Sequence, residues 1–279
     1  MEILWDYRVV LDLFLGGVGI GAFLFGAILF YLDSTNYESI IKKSWIISPA
    51  LIILGLILLL SELGRPINLI TAIFNANSTS VMSIGMFLQG ICVLLMVLVL
   101  FGLLKSKVKD MSKVLVYLTT AFTGLVGIYH GFLLTGIERI AWTDAIPSMF
   151  LISSILAGIS LTLLICAKDK AFKDVLSELK IPLIFNILLT FQFISIFSWL
   201  YSLAIRGADT KAVYNELLSS FGTQFFLFIV IGLIIPIFIF TLMSMKKIET
   251  KGMLATASVC IIFGSLTIKY IVIYLGQMV

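Results

Sequence analysis

The chain has 279 residues, of which 61% are hydrophobic and 12% are charged, and its formal net charge is +4. A soluble domain of this size usually carries about 45–50% apolar and about 25% charged residues, so these values exclude a water-soluble monomer. The basic residues are spread over short connections and form no single patch, which argues against a nucleic-acid partner. A membrane-spanning helix needs about 20 apolar residues, and the apolar content is enough for about eight spans.

Eight apolar runs follow one another along the chain, each long enough to cross a lipid bilayer or nearly so. Because backbone groups in lipid need internal hydrogen-bond partners, we predict that every run is a helix. The predicted spans cover residues 9–32, 45–61, 81–104, 114–135, 146–166, 181–205, 223–244 and 254–276. The predicted fold is therefore all-α, a single polytopic domain over residues 1–279, and a faint echo between the first and fifth spans favours two four-helix halves.

The distribution of lysine and arginine predicts the orientation of the spans. The four odd-numbered connections carry thirteen of the 19 basic residues, and the opposite side carries five. The positive-inside rule then puts the odd connections in the cytoplasm, so both termini face the outside of a prokaryotic cytoplasmic membrane. The acidic start lacks a basic n-region and no cleavage site follows, so we expect the first span to be retained.

Several conspicuous residues have a structural interpretation. The tryptophans Trp5, Trp45, Trp142 and Trp199 all lie near a predicted helix end, where indole rings anchor proteins at the membrane interface. Glycines at four-residue spacing, such as Gly17 and Gly21 in the first span, favour close helix packing. Gln89 and Gln192 are expected to form hydrogen bonds between helices, which is the common use of amides in spans.

Ionisable residues inside a bilayer are costly and indicate a functional site. They are Asp12 in the first span, Glu62 at the end of the second, His130 beside Tyr129 in the fourth, and Lys269 in the eighth. All of these residues lie in the outer halves of their spans, so the predicted site opens to the outside and no proton path crosses the whole membrane. Asp12 shares a helix face with Gly16, whose missing side chain would let a flat ring approach the backbone.

Each of these residues also has an alternative that needs no ligand. Lys269 is close enough to the outer end to extend toward the lipid headgroups. Alternatively, Asp12 caps the first helix. Glu62 alternatively pairs with Arg65 at the surface. His130 is the only histidine, and for it we favour a functional role.

The residue inventory restricts the redox chemistry of this protein. A single histidine cannot supply the two imidazoles of a bis-histidine haem. The cysteines Cys92, Cys166 and Cys260 lie in separate apolar runs, and an iron–sulfur cluster needs grouped thiolates. We therefore expect neither haem nor iron–sulfur cluster here, and any electron carriers would belong to a partner.

Five motifs resemble those of the NrfD/PsrC family, the integral membrane subunits of polysulfide-reductase-type complexes. In sequence order they are FLGGVGIGA at 14–22, ELGRP at 62–66, SVMSIG at 80–85, GIYHGFLL at 127–134, and Lys269-Tyr270 followed by Gly276-Gln277. Each motif is weak alone, but five in the same order over nearly the whole chain are fairly specific.

The resemblance implies a quinone-interacting anchor of a respiratory complex. Such a subunit exchanges two electrons between a membrane quinone (menaquinone or ubiquinone) and a four-cluster ferredoxin-like iron–sulfur subunit on the outer side, usually together with a molybdopterin catalytic subunit. The site residues nominated in this way are Asp12, Glu62, Tyr129 and Lys269, with His130 adjacent. Gly16 joins the predicted quinone-binding residues because of its position on the same helix face as Asp12. Arg65, Arg139 and Trp142 are expected to contact the partner.

The expected mechanism divides the site residues by role. His130 or Tyr129 would bind one quinone carbonyl, and Asp12 with Glu62 would relay protons to the outer aqueous side. Lys269 would stabilise the anionic reduced ring or keep Asp12 ionised. Protons and electrons would then use the same side, so the reaction of this subunit alone would be electroneutral.

Three other interpretations of the sequence stay open. A secondary transporter would need a polar site at the bilayer centre and broken helices, for which Asn186, Gln192 and Pro236 are weak support. A retinal protein would use Lys269 as its Schiff base, but no acid is evident at the same depth. A purely structural anchor would leave the ionisable residues of the outer halves unexplained.

Overall fold

The computed structural model describes residues 5–62, 80–245 and 251–278. In these residues the fold is all-α, without strands. The helices, in sequence order, are α1 (Tyr7–Asp33), α2 (Glu38–Glu62), α3 (Val81–Lys105), α4 (Lys113–Thr135), α5 (Ile146–Cys166), α6 (Phe172–Glu178), α7 (Ile181–Ile205), α8 (Ala208–Ser220), α9 (Gly222–Ser244) and α10 (Lys251–Met278). All except α6 and α8 are long and apolar enough to cross a membrane, so the eight predicted spans are confirmed.

The ends of the spans agree with the prediction within three residues, except at the start of α2. This helix begins at Glu38 and not at residue 45, because its polar first turn is stabilised by a salt bridge from Lys42 to Glu38 (2.6 Å). Ile40 and Ile41 in the same turn are buried. Hydropathy alone does not detect a turn that combines charged and buried residues.

The first helix, α1, lies at the centre of the bundle. Of its most apolar stretch 78% is buried, compared with 17% for α3, and it packs against α2, α4, α5 and α10. Gly21 faces the backbone of Ser154, and Gly158 of α5 faces the backbone of Gly21, so a side chain at either glycine would overlap main-chain atoms. Glycine-mediated helix packing is confirmed here. The grouping into two four-helix halves stays a prediction.

The tryptophans lie inside the bundle. Trp45 and Trp199 have no exposed surface, and Trp142 is 5% exposed. The indole N–H of Trp199 donates to the Ala141 carbonyl and that of Trp142 to the Val272 carbonyl, both at 2.9 Å. The membrane-anchor prediction is wrong for these three residues, because their rings pack between helices and two of them find hydrogen-bond partners there.

Polar contacts join two connections at the end of the bundle that is predicted to be cytoplasmic. Asp169 accepts hydrogen bonds from Ser39 (2.9 Å) and Lys43, and the Tyr37 hydroxyl donates to Glu178. Burial acts to raise the pKa of Asp169, but the hydrogen bonds from Lys43 and Ser39 outweigh it and hold that pKa below its usual value. The hydrogen bond to Glu178 raises the pKa of Tyr37 to about 12. We name these five residues the inner clasp.

Candidate functional site

Lys269 is enclosed by the bundle. It lies nine residues before the end of α10, which is roughly 14 Å along the helix axis, and it has no exposed surface. Its Nζ donates to the Ser154 hydroxyl (3.0 Å) and lies over Gly17, while the ring centroids of Phe14 and Phe150 are 6.0 and 5.7 Å away. The headgroup alternative for Lys269 is therefore wrong. Nothing in the sequence pointed to Ser154 as its partner.

Asp12 is also buried, with 4% of its surface exposed. It lies against Gly55 of α2, where a Cβ atom would be only 2.8 Å from its Oδ1. Glu62 and Lys269 are close enough to act on it electrostatically. The cap of α1 is Asp6, and the capping alternative for Asp12 is wrong as well.

His130 is held in a defined orientation. It is 2% exposed, and its Nε2 lies 3.1 Å from the side-chain amide nitrogen of Gln89. In this orientation of the Gln89 amide its nitrogen donates to Nε2, which assigns the proton of the neutral ring to Nδ1, and Nδ1 has no hydrogen-bond partner among the described residues. The ring packs over Gly16, where a Cβ would be 3.0 Å from Cε1. The prediction that Gln89 bonds between helices is confirmed.

Tyr129 lies beside His130, with the two ring centroids 6.5 Å apart. The side chain is 9% exposed, and its ring packs directly on Gly85 of α3, where any side chain would overlap it. Asp12 is near enough to act on the Tyr129 hydroxyl electrostatically. The polar side chains of Tyr129 and His130 on α4 therefore lie in the same region as Asp12 on α1.

Glu62 lies at the outer edge of this region. It is half-buried and accepts a hydrogen bond from the backbone N–H of Asp6 (3.1 Å). Arg8 pairs with the Asp6 carboxylate (2.7 Å) and donates to the Ser61 carbonyl (2.6 Å), which joins the start of α1 to the end of α2. The predicted pairing of Glu62 with Arg65 lies outside the described residues.

The predicted docking residues Arg139 and Trp142 lie on the connection between α4 and α5. Trp142 stacks on Trp5, with ring centroids 5.4 Å apart and an interplanar angle of 15°. The side-chain amide of Gln277 exchanges two hydrogen bonds with the Trp5 backbone, at 2.7 and 3.0 Å. Trp142 thus lies beneath the surface formed by Trp5 and Gln277 and supports it. Arg139, on the same connection as Trp142, is half-buried. Their docking role stays a prediction.

Together, these contacts define one site, which we name the outer cluster: Asp12, Gly16, Tyr129, His130 and Lys269, with Glu62 at its edge. Lys269 acts electrostatically on both Asp12 and His130. The cluster offers hydrogen-bond donors on His130, Tyr129 and Lys269 and a carboxyl group on Asp12. Within residues 5–62, 80–245 and 251–278, no group of three or more side chains is arranged to hold a metal ion.

The fold and the outer cluster define a multi-pass membrane protein with a buried polar site near one end of its bundle. The chain belongs to the family described as "Polysulphide reductase, NrfD", whose model matches residues 1–279, and the predicted family is confirmed.

Three relatives match over almost their whole length. The C subunit of polysulfide reductase from Wolinella succinogenes is 25% identical over 301 residues, which cover 99% of the present sequence and 95% of the relative. Protein NrfD of Escherichia coli is 26% identical, with 99% and 96% covered. A protein NrfD homolog of Haemophilus influenzae is 24% identical, with 99% and 95% covered.

Proposed function

We propose that this protein is the membrane anchor subunit of a respiratory oxidoreductase complex and that it binds a quinone at the outer cluster. It exchanges two electrons and the accompanying protons between membrane quinone or quinol and an iron–sulfur partner on the outer side. The observation that carries the proposal is the buried Nδ1–H of His130, a hydrogen-bond donor without a partner among the described residues. The family of the protein and the name of one relative, a subunit of polysulfide reductase, support it.

The residues fit a quinone. A quinone is a flat ring with two carbonyl acceptors, and it supplies the two-electron, two-proton chemistry when bound. Buried donors are costly when unpaired, so His130 Nδ1 favours an acceptor other than the described residues, and a quinone carbonyl is such an acceptor. Tyr129 and Lys269 add two more donors, and Gly16 removes a side chain beside the His130 ring. Menaquinone and ubiquinone both meet these requirements.

The side chains of the cluster then take distinct roles. His130 donates from Nδ1 to one carbonyl, and Gln89 orients the ring and selects the tautomer that makes this possible. Asp12 takes up protons from the quinol or supplies them to the quinone, because its carboxyl group is the buried one at this site. Lys269, which lies in the protein interior, stabilises the negative charge of the reduced quinone ring. Glu62 passes protons between Asp12 and the outer aqueous side.

The resemblance to the NrfD/PsrC family implies the partners, and the location of the cluster near the end predicted to face outside implies the side on which they dock. Electrons leave or arrive through a four-cluster ferredoxin-like subunit docked on that surface, with a molybdopterin catalytic subunit beyond it. Arg139 and the surface supported by Trp142 belong to this docking face. Since protons and electrons use the same side, the reaction of this subunit is electroneutral.

Two observations weigh against the transporter alternative. Seven of the eight described spans are regular α-helices and α9 passes through a π-helical segment without unwinding, whereas a transporter site is commonly built from broken helices. The cavity beside Gln192 leaves only about 10 Å³ for the centre of a water molecule, which is too small for a solute.

The test uses the complex purified with its partners in mild detergent. We expect His130→Ala to lower quinol-linked turnover by about 100-fold or more, since it removes the donor to the quinone. Activity of the catalytic partner with an artificial dye should be unchanged. Gly124→Ala on the same helix, where a Cβ meets open space, serves as the control. Normal quinol turnover of the His130 variant would remove this residue from the mechanism.

A further inference from the structure

A small cavity lies between α5, α7, α9 and α10, away from the outer cluster. Its polar lining consists of Ser153 of α5, Gln192 of α7 and Ser265 of α10. Gln192 is the twelfth residue of a 25-residue span, so the cavity lies near the centre of the bilayer. The space open to the centre of a water molecule is about 10 Å³, which is close to the room that one water needs.

Gln192 is the unusual residue of this cavity. It is 2% exposed, and neither its Oε1 nor its Nε2 has a hydrogen-bond partner among the described residues. The prediction of a direct hydrogen bond from Gln192 to another helix is therefore wrong. An amide without hydrogen bonds is strongly disfavoured in the apolar interior of a membrane protein, so Gln192 calls for a partner other than the described protein groups.

Two serines complete the polar lining. Ser265 is 4% exposed, and within the described ranges its hydroxyl has no partner either. The Ser153 hydroxyl donates to the Phe150 carbonyl (3.0 Å) and keeps its oxygen free to accept another hydrogen bond. Three converging polar groups around a space of this size match the two to four partners that a buried water requires.

The remaining wall of the cavity cannot supply a polar side chain. This wall is formed by α9. The helix has a π-helical segment over Phe228–Ile234, after which the N–H of Ile235 donates to the carbonyl of Val230, five residues back. Pro236 follows and has no N–H to offer. Gly232 packs on Gly264, and a Cβ at Gly232 would be 2.8 Å from the Gly264 Cα, so the two helices cannot move closer to fill the space.

We propose that this cavity binds an ordered water molecule, held by Gln192 and Ser265 with Ser153 as a third partner. The water ties α7 to α10 at the bilayer centre. Ser265 lies one helical turn before Lys269 on α10, so the water extends the polar surroundings of Lys269 toward the middle of the membrane. The proposal is independent of quinone binding.

A double-mutant cycle on thermal unfolding in detergent tests it, with Gln192→Leu, Ser265→Ala and the double variant. If both side chains hold one water, each single substitution lowers the unfolding midpoint, and the double variant loses less than the sum of the two losses. Ser160→Ala is the control, because its buried hydroxyl also lacks a partner in the described structure but does not line this cavity. Its effect should add to that of Gln192→Leu. Additive losses for Gln192 and Ser265 would overturn the proposal, as would a midpoint raised by either single substitution.

A cryo-EM map of the complex in lipid nanodiscs at water-resolving quality gives an independent readout. We expect a density peak about 2.7–3.2 Å from the Gln192 amide and within the same range of the Ser265 hydroxyl. An empty cavity, or a Gln192 side chain bonded directly to another protein group, would overturn the proposal.

Discussion

At the scale of single residues, each buried polar side chain of the outer cluster lies on a glycine of a neighbouring helix. The pairs are Asp12 on Gly55, Tyr129 on Gly85, His130 on Gly16, and Lys269 on Gly17. A glycine at each contact lets the polar group lie against a backbone with no intervening side chain. The shape of the cluster therefore depends on residues that carry no chemistry.

Two glycines of α3 provide a matched test of this dependence. In Gly85→Ala the new methyl overlaps the rigid Tyr129 ring, so we expect a loss of about 1–3 kcal/mol in the free energy of unfolding and a lower quinol turnover. Gly90 has nothing within 4 Å of a Cβ, and Gly90→Ala should be neutral or stabilising by up to about 1 kcal/mol. Thermal unfolding and quinol assays of the two variants would check this, and equal behaviour would show that Tyr129 is not confined by Gly85.

At the scale of elements, the spans are fastened by polar contacts at both ends. The end predicted to face outside joins α1 to α2 through Asp6, Arg8 and Glu62. At the opposite end, the inner clasp joins the first turns of α2 and the residue before it to the segment around α6. Since apolar contacts between helices compete with equally apolar lipid, such polar contacts add specificity to the packing.

The acid sensitivity of the inner clasp follows from the direction of the Asp169 pKa shift. The folded pKa lies below the unfolded value of about 3.9, so the stabilisation is present above that pH and is lost as the pH falls through the folded pKa. Asp169→Asn should therefore unfold at a lower temperature than the parent at pH 7, by a free energy of about 1 kcal/mol or less. The difference should shrink as the pH falls below the unfolded value of about 3.9.

Asp174→Asn, an exposed carboxylate in the same segment that forms no described hydrogen bond to Lys43 or Ser39, is the control, and its effect at pH 7 should be smaller than that of Asp169→Asn. Thermal unfolding of the three proteins between pH 7 and pH 3 gives the measurement. A deficit of Asp169→Asn that did not shrink between pH 5 and pH 3 would show that it does not come from the ionised carboxylate.

At the scale of the whole molecule, the asymmetry of basic residues predicts the orientation in the membrane. Cysteine labelling tests it, because the native cysteines are buried or half-buried in the bundle. We expect a membrane-impermeant maleimide to label Asp209→Cys on α8 in intact cells. Lys109→Cys, on the connection between α3 and α4, should react only after permeabilisation. Reversed accessibility would put both termini in the cytoplasm and the outer cluster on the inner side.

The eight spans and the positions of the ionisable residues along them could be predicted from the amino-acid sequence alone. These properties depend on hydropathy along the chain and on the cost of charge in lipid, and both are local. Thus Asp12, His130 and Lys269 could be selected without knowing which helices are neighbours.

Only the tertiary structure decided where those side chains point and what they contact. A membrane helix is apolar on every side, so its sequence does not show which face packs inward and which faces lipid. For this reason Lys269 was compatible with both the headgroups and the bundle interior, and Ser154 carried no signal. Gln192 makes the same point, because whether a buried amide finds a protein partner depends on the neighbouring helices and the space between them.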